Sequence, residues 1–272
     1  MEYTQFAPNI VKINHNAGFF SCCSVRLGSI VHYFNNEKKL PKYVDSSTQY
    51  RWYKELNTDV TFQYFKHYNE MDEVIEHNGD GDVDFHDTKQ FSFYKNLDFE
   101  KINPLIEKYF SPSKIVQTKI DAIIEKYDID FENTCTLFHR GLDKVTETEI
   151  CSYEDKLEKA KELLKENPNI RFLIQSDETG FIEKARETFP DNSFYCKDEI
   201  FHMEHDAKTL VDHKFRENPE DRAQNLLAVL MIMSKCKHVI VSAGNCDLWT
   251  ILFRGNATNV TQFFKNEWVK SD

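Results

Sequence analysis

Glycine is scarce in this 272-residue chain. Only eight are present, and none falls in G-x-G-x-x-G or G-x-x-x-x-G-K-[ST], which removes the usual dinucleotide and P-loop fingerprints. H-E-x-x-H, G-x-S-x-G and paired C-x-x-C motifs are missing too, so zincin, nucleophile-elbow and zinc-ribbon chemistries have no starting point. The seven cysteines are an odd number, with Cys22 and Cys23 the only close pair. That argues against a disulfide framework and for reduced core thiols in a cytosolic protein, and it makes the sequons at Asn256 and Asn259 accidental. Long apolar runs are lacking as well. The longest, Leu226 to Met233, falls far short of the roughly 18–20 residues that span a bilayer. The start, MEYTQFAPNIVKINHN, has no basic segment leading into an apolar one, so no signal peptide is expected. Positive charge is in deficit, 34 Lys and Arg against 45 Asp and Glu, for a net charge of −11. This disfavours a nucleic-acid partner, whose capture rests on clustered cations, but leaves room for a local basic pocket for a small phosphate.

What is present suits a folded protein. Hydrophobic residues make up 40% and charged residues 29%, enough for a substantial core in one large domain or two ordinary ones. No 20–50-residue repeat and no Pro- or Ser-rich linker interrupts the chain. Ile10–Ile13 reads as a strand, Asn14–Gly18 as a turn and Ser21 as a helix N-cap. Val25 to Phe34 has a partly helical period, and Leu40–Asp45 reads as the next strand. Residues 50–98 are rich in aromatics without a clear period. Asp98 to Tyr127 reads as helical, interrupted at Pro104 and at Ser111-Pro112, which places a boundary between domains 1–115 and 116–272.

Beyond residue 134 the alternation is regular. Strands are expected at 134–139, 171–175, 193–196 and 238–241. Helices are expected after Ser152, over 179–188, over 222–235 and over 246–253. Strands alternating with helices at these lengths predict an α/β fold with a parallel, doubly wound sheet, and with the N-terminal unit two Rossmann-like halves. Ligands in such sheets sit at the carboxyl ends of the strands. Three strand ends are therefore expected along one crevice: His139-Arg140 to Asp143-Lys144, Ser176-Asp177, and Ser242 to Gly244-Asn245. Arg140 suits a bidentate phosphate contact, Gly244 and Asn245 open a helix with free N–H groups, and Asp177 offers a carboxylate to a sugar or base. The plainer alternatives are an Arg140–Asp143 brace and an ordinary cap formed by Ser242 and Asn245.

Leu137 to Lys144 also resembles the H-x-R-x-x-D-K segment of the fucosyltransferase superfamily, which spans core alpha-1,6-, nodulation, alpha-1,2- and protein O-fucosyltransferases. Phe172–Glu178 with Phe181–Ala185, Leu226 to Arg254, and Tyr109–Ser113 are similar to further segments of that group, so the resemblance spans about residues 105–255. It implies a GT-B-like fold, two Rossmann-like domains facing a central cleft. It also implies inverting transfer from a nucleotide diphosphate sugar to a glycan or oligosaccharide hydroxyl, with no required metal or other cofactor. By the same resemblance Arg140 contacts the donor pyrophosphate, the loop at Ser242, Gly244 and Asn245 contacts phosphate, and Asp177 holds the acidic strand-end position. Two departures touch guanine recognition. Phe138 stands where the family has histidine, with His139 shifted by one, and Leu226–Met233 contains no acid. A GDP-fucose-like donor is the family expectation, and a UDP-sugar such as UDP-xylose is the alternative.

Other features keep competing readings open. Asp80 and Asp82 form a D-x-D pair of the kind that holds a metal in GT-A transferases, against the simpler reading of a solvated acidic loop. His202 and His205 are spaced as ligands but lack a third. Asn14, His15, Gly18, Ser21 and Arg26 follow the first strand and are expected to face the donor across the cleft. His15 and Asp45, each just past a strand, are the candidate general bases. A non-catalytic sugar- or nucleotide-binding module within a glycan-assembly complex is the reading from a different class.

Overall fold

The computed structural model describes residues 4–54, 58–69, 81–142, 147–204 and 217–271. Two sheets organise the α/β chain. The first has the order β1-β2-β3. Its β1 (Thr4–Ala7) pairs antiparallel with β2 (Ile10–Ile13), and β3 (Tyr43–Asp45) pairs parallel with β2. The crossover between β2 and β3 is α1 (Phe19–Glu37), whose apolar residues from Phe19 to Phe34 are nearly all buried. The helix starts two residues before the expected cap at Ser21. Gly18 takes the N-cap position and the Phe19 N–H donates to Tyr53 Oη at 2.9 Å, so an aromatic from the following loop sets the helix start.

The described residues of the aromatic stretch after β3 form short turns, among them α2 (Thr61–Tyr64). Its rings pack edge-on around Phe19, with Tyr53 and Tyr64 at centroid distances of 5.5 and 5.0 Å. Next come α3 (Phe99–Phe110) and α4 (Lys114–Tyr127). Contrary to the sequence expectation, Pro104 does not interrupt α3. It frees only the carbonyl of Glu100, an exposed residue in the first turn, where water can satisfy it. The break falls at Ser111-Pro112. Ser113 caps α4 and its Oγ donates to the Gln63 carbonyl at 2.7 Å, fastening α4 to α2.

The second sheet has the order β6-β5-β4-β7-β8-β9. Its parallel strands are β4 (Thr134–His139), β5 (Arg171–Ser176), β6 (Ser193–Phe194), β7 (His238–Val241) and β8 (Val260–Phe264). The crossover helices are α5 (Tyr153–Glu166), α6 (Thr179–Thr188), α7 (Pro219–Lys235) and α8 (Asn245–Arg254). Ser152 caps α5 as its spacing predicts, accepting from the Asp155 N–H. The apolar helix α7 is buried on almost every side and packs against α4 and α8. The edge strand β9 (Glu267–Ser271) pairs antiparallel with β8. In register, His139 stands beside Ser176, and Leu137 beside Ile240, so the carboxyl ends of β4, β5 and β7 finish level. Among the described residues no helix is long and apolar enough to cross a membrane.

Candidate functional site

A cleft of about 540 Å³ opens between the N-terminus of α1 on one wall and the ends of β4 and β7 on the other. Gly18 and Ser21 line the first wall. Arg140, Gly244, Asn245, Cys246 and Asp247 line the second, with Trp52, Tyr53, Gln90, Phe91, Glu147 and Leu226 between them.

Arg140 follows β4 directly and is held from behind. Its Nε donates to Asp177 Oδ2 at 2.8 Å and its Nη1 to Cys246 Sγ at 3.0 Å. Asp177 is 7% exposed, and its second oxygen accepts the Gly141 N–H at 3.1 Å. Its carboxylate is therefore committed to orienting Arg140 and the loop after β4, not offered to a sugar or base. Glu178 tightens the same loop, accepting from the Leu142 N–H at 3.3 Å and from Tyr153 Oη at 2.8 Å. A side chain on Gly141 would overlap that carboxylate, which explains the glycine here. This arrangement presents a guanidinium whose approach direction is fixed before any ligand arrives.

The turn after β7 is built around Gly244, whose φ of 150° lies where other residues are strained. Its N–H donates to the Gln90 carbonyl at 3.2 Å, so it is not free for an anion. The first-turn N–H groups of α8, beginning at Asn245, have no acceptor within the helix and lie on the cleft wall beside Arg140. The side chain of Asn245 is used otherwise, accepting from Ser24 Oγ at 2.6 Å.

Three expected donor contacts stand behind the wall instead of on it. His139 is 1% exposed, stacked on Phe181 and hydrogen-bonded to Glu178 at 3.2 Å, because the face of β4 it occupies is covered by α5 and α6. Burial lowers its pKa, against the opposing pull of Glu178. Ser176 is fully buried and accepts the Glu178 N–H at 3.0 Å. Ser242 is buried with its Oγ on Lys156 Nζ at 2.8 Å and its N–H on Asp247 Oδ1 at 2.8 Å. Asp143 and Lys144 lie outside the described residues.

On the opposite wall Ser21 reaches the cleft, and His15 stands behind it with Nε2 3.2 Å from Ser21 Oγ. Burial lowers the His15 pKa below the ordinary value of 6.5, while the Asp87 carboxylate pulls the other way. Asp45 does not line the cleft. Its Oδ1 accepts the Ser47 N–H at 2.9 Å, a turn closed by the residue itself. Burial would raise its pKa, but the hydrogen bonds from Ser47 outweigh that and hold it below the ordinary range, which suits a structural carboxylate and not a base. Arg26 is fully buried in the N-terminal core with Nη1 on Ser46 Oγ, because α1 is enclosed on that side, and it is no part of the cleft. Asn14 is exposed and outside the lining.

The acidic loop is solvated and paired with lysines. Asp82 lies on Lys38 at 2.5 Å and Asp84 on Lys89 at 2.6 Å, with both carboxylates mostly exposed. Asp80 and His205 fall outside the described residues, and His202 hydrogen-bonds Thr179 at 2.8 Å. Among the described residues no cluster of three His, Cys, Asp or Glu side chains is arranged to hold a metal.

Several lining residues carry no signal that sequence reasoning could have used. Trp52, Tyr53, Gln90 and Phe91 come from the aperiodic stretch, and Glu147 from the loop after β4. Cys246 and Asp247 were legible only as helix residues, although the first turn of a helix at a strand end is the place to look.

No protein-family model and no curated protein matches the sequence. Solved structures do. The chain is similar to the crystal structure of NodZ alpha-1,6-fucosyltransferase soaked with GDP-fucose, at a TM-score of 0.53 and 12% identity, over 97% of this chain and 98% of that one. It is similar to the same enzyme co-crystallized with GDP, at a TM-score of 0.54 and 12% identity over 96% of each chain. The selenomethionine fucosyltransferase NodZ from Bradyrhizobium gives a TM-score of 0.52 at 11% identity, over 97% and 98%. The fold is therefore a fucosyltransferase-like GT-B fold, along the whole described chain.

Proposed function

We propose that the protein is a glycosyltransferase that moves one sugar from a nucleotide diphosphate sugar to a hydroxyl of an oligosaccharide or glycan, with inversion and without a required metal or cofactor. The observation that carries this reading is Arg140, locked by Asp177 at the wall of the cleft and set beside the N-terminus of α8. The fold likeness to a fucosyltransferase crystallised with GDP and soaked with GDP-fucose supports it. Residues 116–272 form the donor-binding domain and residues 1–115 the acceptor-side domain. The seven cysteines are all free thiols, which suits work in the cytoplasm.

The reaction breaks the bond between the anomeric carbon and the diphosphate oxygen. It forms a bond from that carbon to the acceptor oxygen on the opposite face. Negative charge develops on the leaving diphosphate, where Arg140 and the α8 N-terminus stabilise it electrostatically. The acceptor proton leaves through the Ser21 hydroxyl to His15, whose lowered pKa keeps the imidazole neutral and able to accept it. A GDP-fucose-like donor is preferred, with a UDP-sugar such as UDP-xylose as the competing choice.

The test is a transfer assay with a panel of GDP- and UDP-sugars, run in excess EDTA. Arg140→Ala is expected to lower transfer by about 10²–10³-fold with the fold intact by circular dichroism. Near-normal turnover in that variant removes the central claim. Binding of a nucleotide sugar without transfer to any acceptor assigns the chain to the non-catalytic module, and dependence on added divalent metal contradicts the metal-free mechanism.

A further inference from the structure

Beneath Gly244 the cleft wall hides a charged pair that the transfer mechanism does not use, and its role rests on the reading of this cleft as a nucleotide-sugar site. Lys156, from the first turn of α5, is fully buried. Its ammonium donates to the carbonyl of Phe138 and to Ser242 Oγ, at 2.8 Å for the latter, and so ties the ends of β4 and β7 together under the turn that opens α8. Asp247 is 1% exposed. Its Oδ1 accepts the Ser242 N–H at 2.8 Å, while among the described residues its Oδ2 has no hydrogen-bond partner. That unpartnered oxygen lies 3.2 Å from the point where a Cβ on Gly244 would stand, so it sits directly below the glycine that forms the cleft surface.

A buried carboxylate with one oxygen unsatisfied is a costly anion. Burial accordingly favours the protonated form of Asp247, while Lys156, the Ser242 N–H and Arg140 pull toward the ionised one. With the cleft empty, ionised Asp247 offsets one of two nearby cations. An arriving diphosphate meets that negative charge across a thin, poorly polarisable layer of protein. A second anion beside a carboxylate shifts it toward protonation, and burial acts in the same direction. Once Asp247 is neutral, its charge no longer opposes Lys156 and Arg140 at the diphosphate, and Asp177 is the carboxylate left beside Arg140.

We propose that Asp247 takes up one proton from solvent at Oδ2 when the diphosphate of a nucleotide sugar enters the cleft, which makes donor binding proton-linked. The groups facing Asp247 are Lys156 from α5, Arg140 from the loop after β4, Tyr94 from the segment leading to α3, and Cys246 beside it on α8. Glu147 lines the same cleft, and His15 stands behind the far wall. Substitution of Asp247 separates its contribution from theirs.

The experiment is isothermal titration calorimetry of the full chain with GDP-fucose and with UDP-glucose. It runs between about pH 6 and pH 8.5 in two buffers of different ionisation enthalpy. Sugar diphosphates carry no phosphate group that titrates in this range, so any proton taken up enters the protein. The wild type is expected to take up a proton on binding, with affinity falling as pH rises and approaching about tenfold per pH unit where Asp247 is ionised in the free protein. Asp247→Asn keeps an acceptor for the Ser242 N–H and is expected to bind with no proton uptake and a flat profile. Wild-type binding without proton uptake overturns the proposal even if no variant folds. So does an Asp247→Asn protein that keeps the wild-type slope. Absence of binding by both nucleotide sugars at every pH removes the nucleotide-sugar reading, and this proposal falls with it.

Discussion

At the scale of single residues, the cleft depends on which polar groups are committed and which are exposed. Arg140 and Asp177 were both visible in the sequence as strand-end residues, but their division of labour was not. A carboxylate just past a strand can face a ligand or turn back to the neighbouring loop, and only the level finish of β4 and β5 decides for the latter. The same limit applied to the candidate bases. His15 and Asp45 look alike in sequence, yet Asp45 closes its own turn while His15 is hydrogen-bonded to a cleft serine. If His15 takes the acceptor proton, kcat/KM for transfer should fall on the acid side with an apparent pKa below 6.5, since burial lowers the free-enzyme value. His15→Gln should abolish that limb and lower the plateau by about 10²-fold. An unchanged acid limb in the variant would assign the titration to another group. The sign carries over to stability. The unfolded chain binds the His15 proton more readily than the folded one. The contribution of His15 to stability is therefore complete above about pH 6.5 and is lost as pH falls from there toward the lower folded value.

Elements were legible where a period and a punctuating residue agreed. The helix at 179–188 was read with its full bounds, and the start of α5 was read from the Ser152 cap. Three strands of the second sheet, β4, β5 and β7, were read to within one residue of their bounds. The aromatic stretch was opaque because its rings pack around Phe19 in short turns that impose no period. The β8–β9 hairpin was missed for a different reason. Its two-residue turn, Lys265-Asn266, has φ of 53° and 58°, the mirror-image geometry usually signalled by Asn-Gly, and Lys gives no such signal. The native pair therefore holds a strained conformation at the sheet edge. Replacing Lys265-Asn266 by Asn-Gly should raise stability by about 0.4–1 kcal/mol, read as a higher denaturant midpoint with unchanged slope. A lower midpoint would mean that the Lys265 ammonium, 5.5 Å from the centre of the Phe264 ring, contributes more than the turn strain costs.

At the scale of the whole molecule, the question is what holds the two walls of the cleft at their spacing. One joint crosses between α1 and α8. Trp249 Nε1 donates to Ser24 Oγ at 2.9 Å, and that hydroxyl donates onward to Asn245 Oδ1 at 2.6 Å. Trp249 and Ser24 are both fully buried, so the bond between them has no water in competition, while Asn245 is half-buried at the cleft. Phe20 of α1 and Phe110 of α3 pack on Trp249 at centroid distances of 6.1 and 4.6 Å, which sets the indole of α8 against two helices of the N-terminal half. A second joint strings Gln90 and Tyr94 onto the Gly244 turn, with Gln262 accepting from the Tyr94 N–H at 2.9 Å. Ser24 thus ties α1, which carries Ser21, to the first turn of α8 beside Arg140. Ser24→Ala should leave the indole N–H unsatisfied in the interior, costing about 1–3 kcal/mol, while the Asn245 oxygen loses its protein partner at the cleft. For a chain of this size that corresponds to a fall in Tm of roughly 2–4 °C per kcal/mol. Because Asn245 opens α8 beside Arg140, the same change should weaken nucleotide-sugar binding along with stability. A variant with lowered Tm and unaltered donor affinity would show that Ser24 fastens the two halves together without setting the width of the cleft. A variant that loses affinity more steeply than stability would identify this joint as the hinge on which the walls are set.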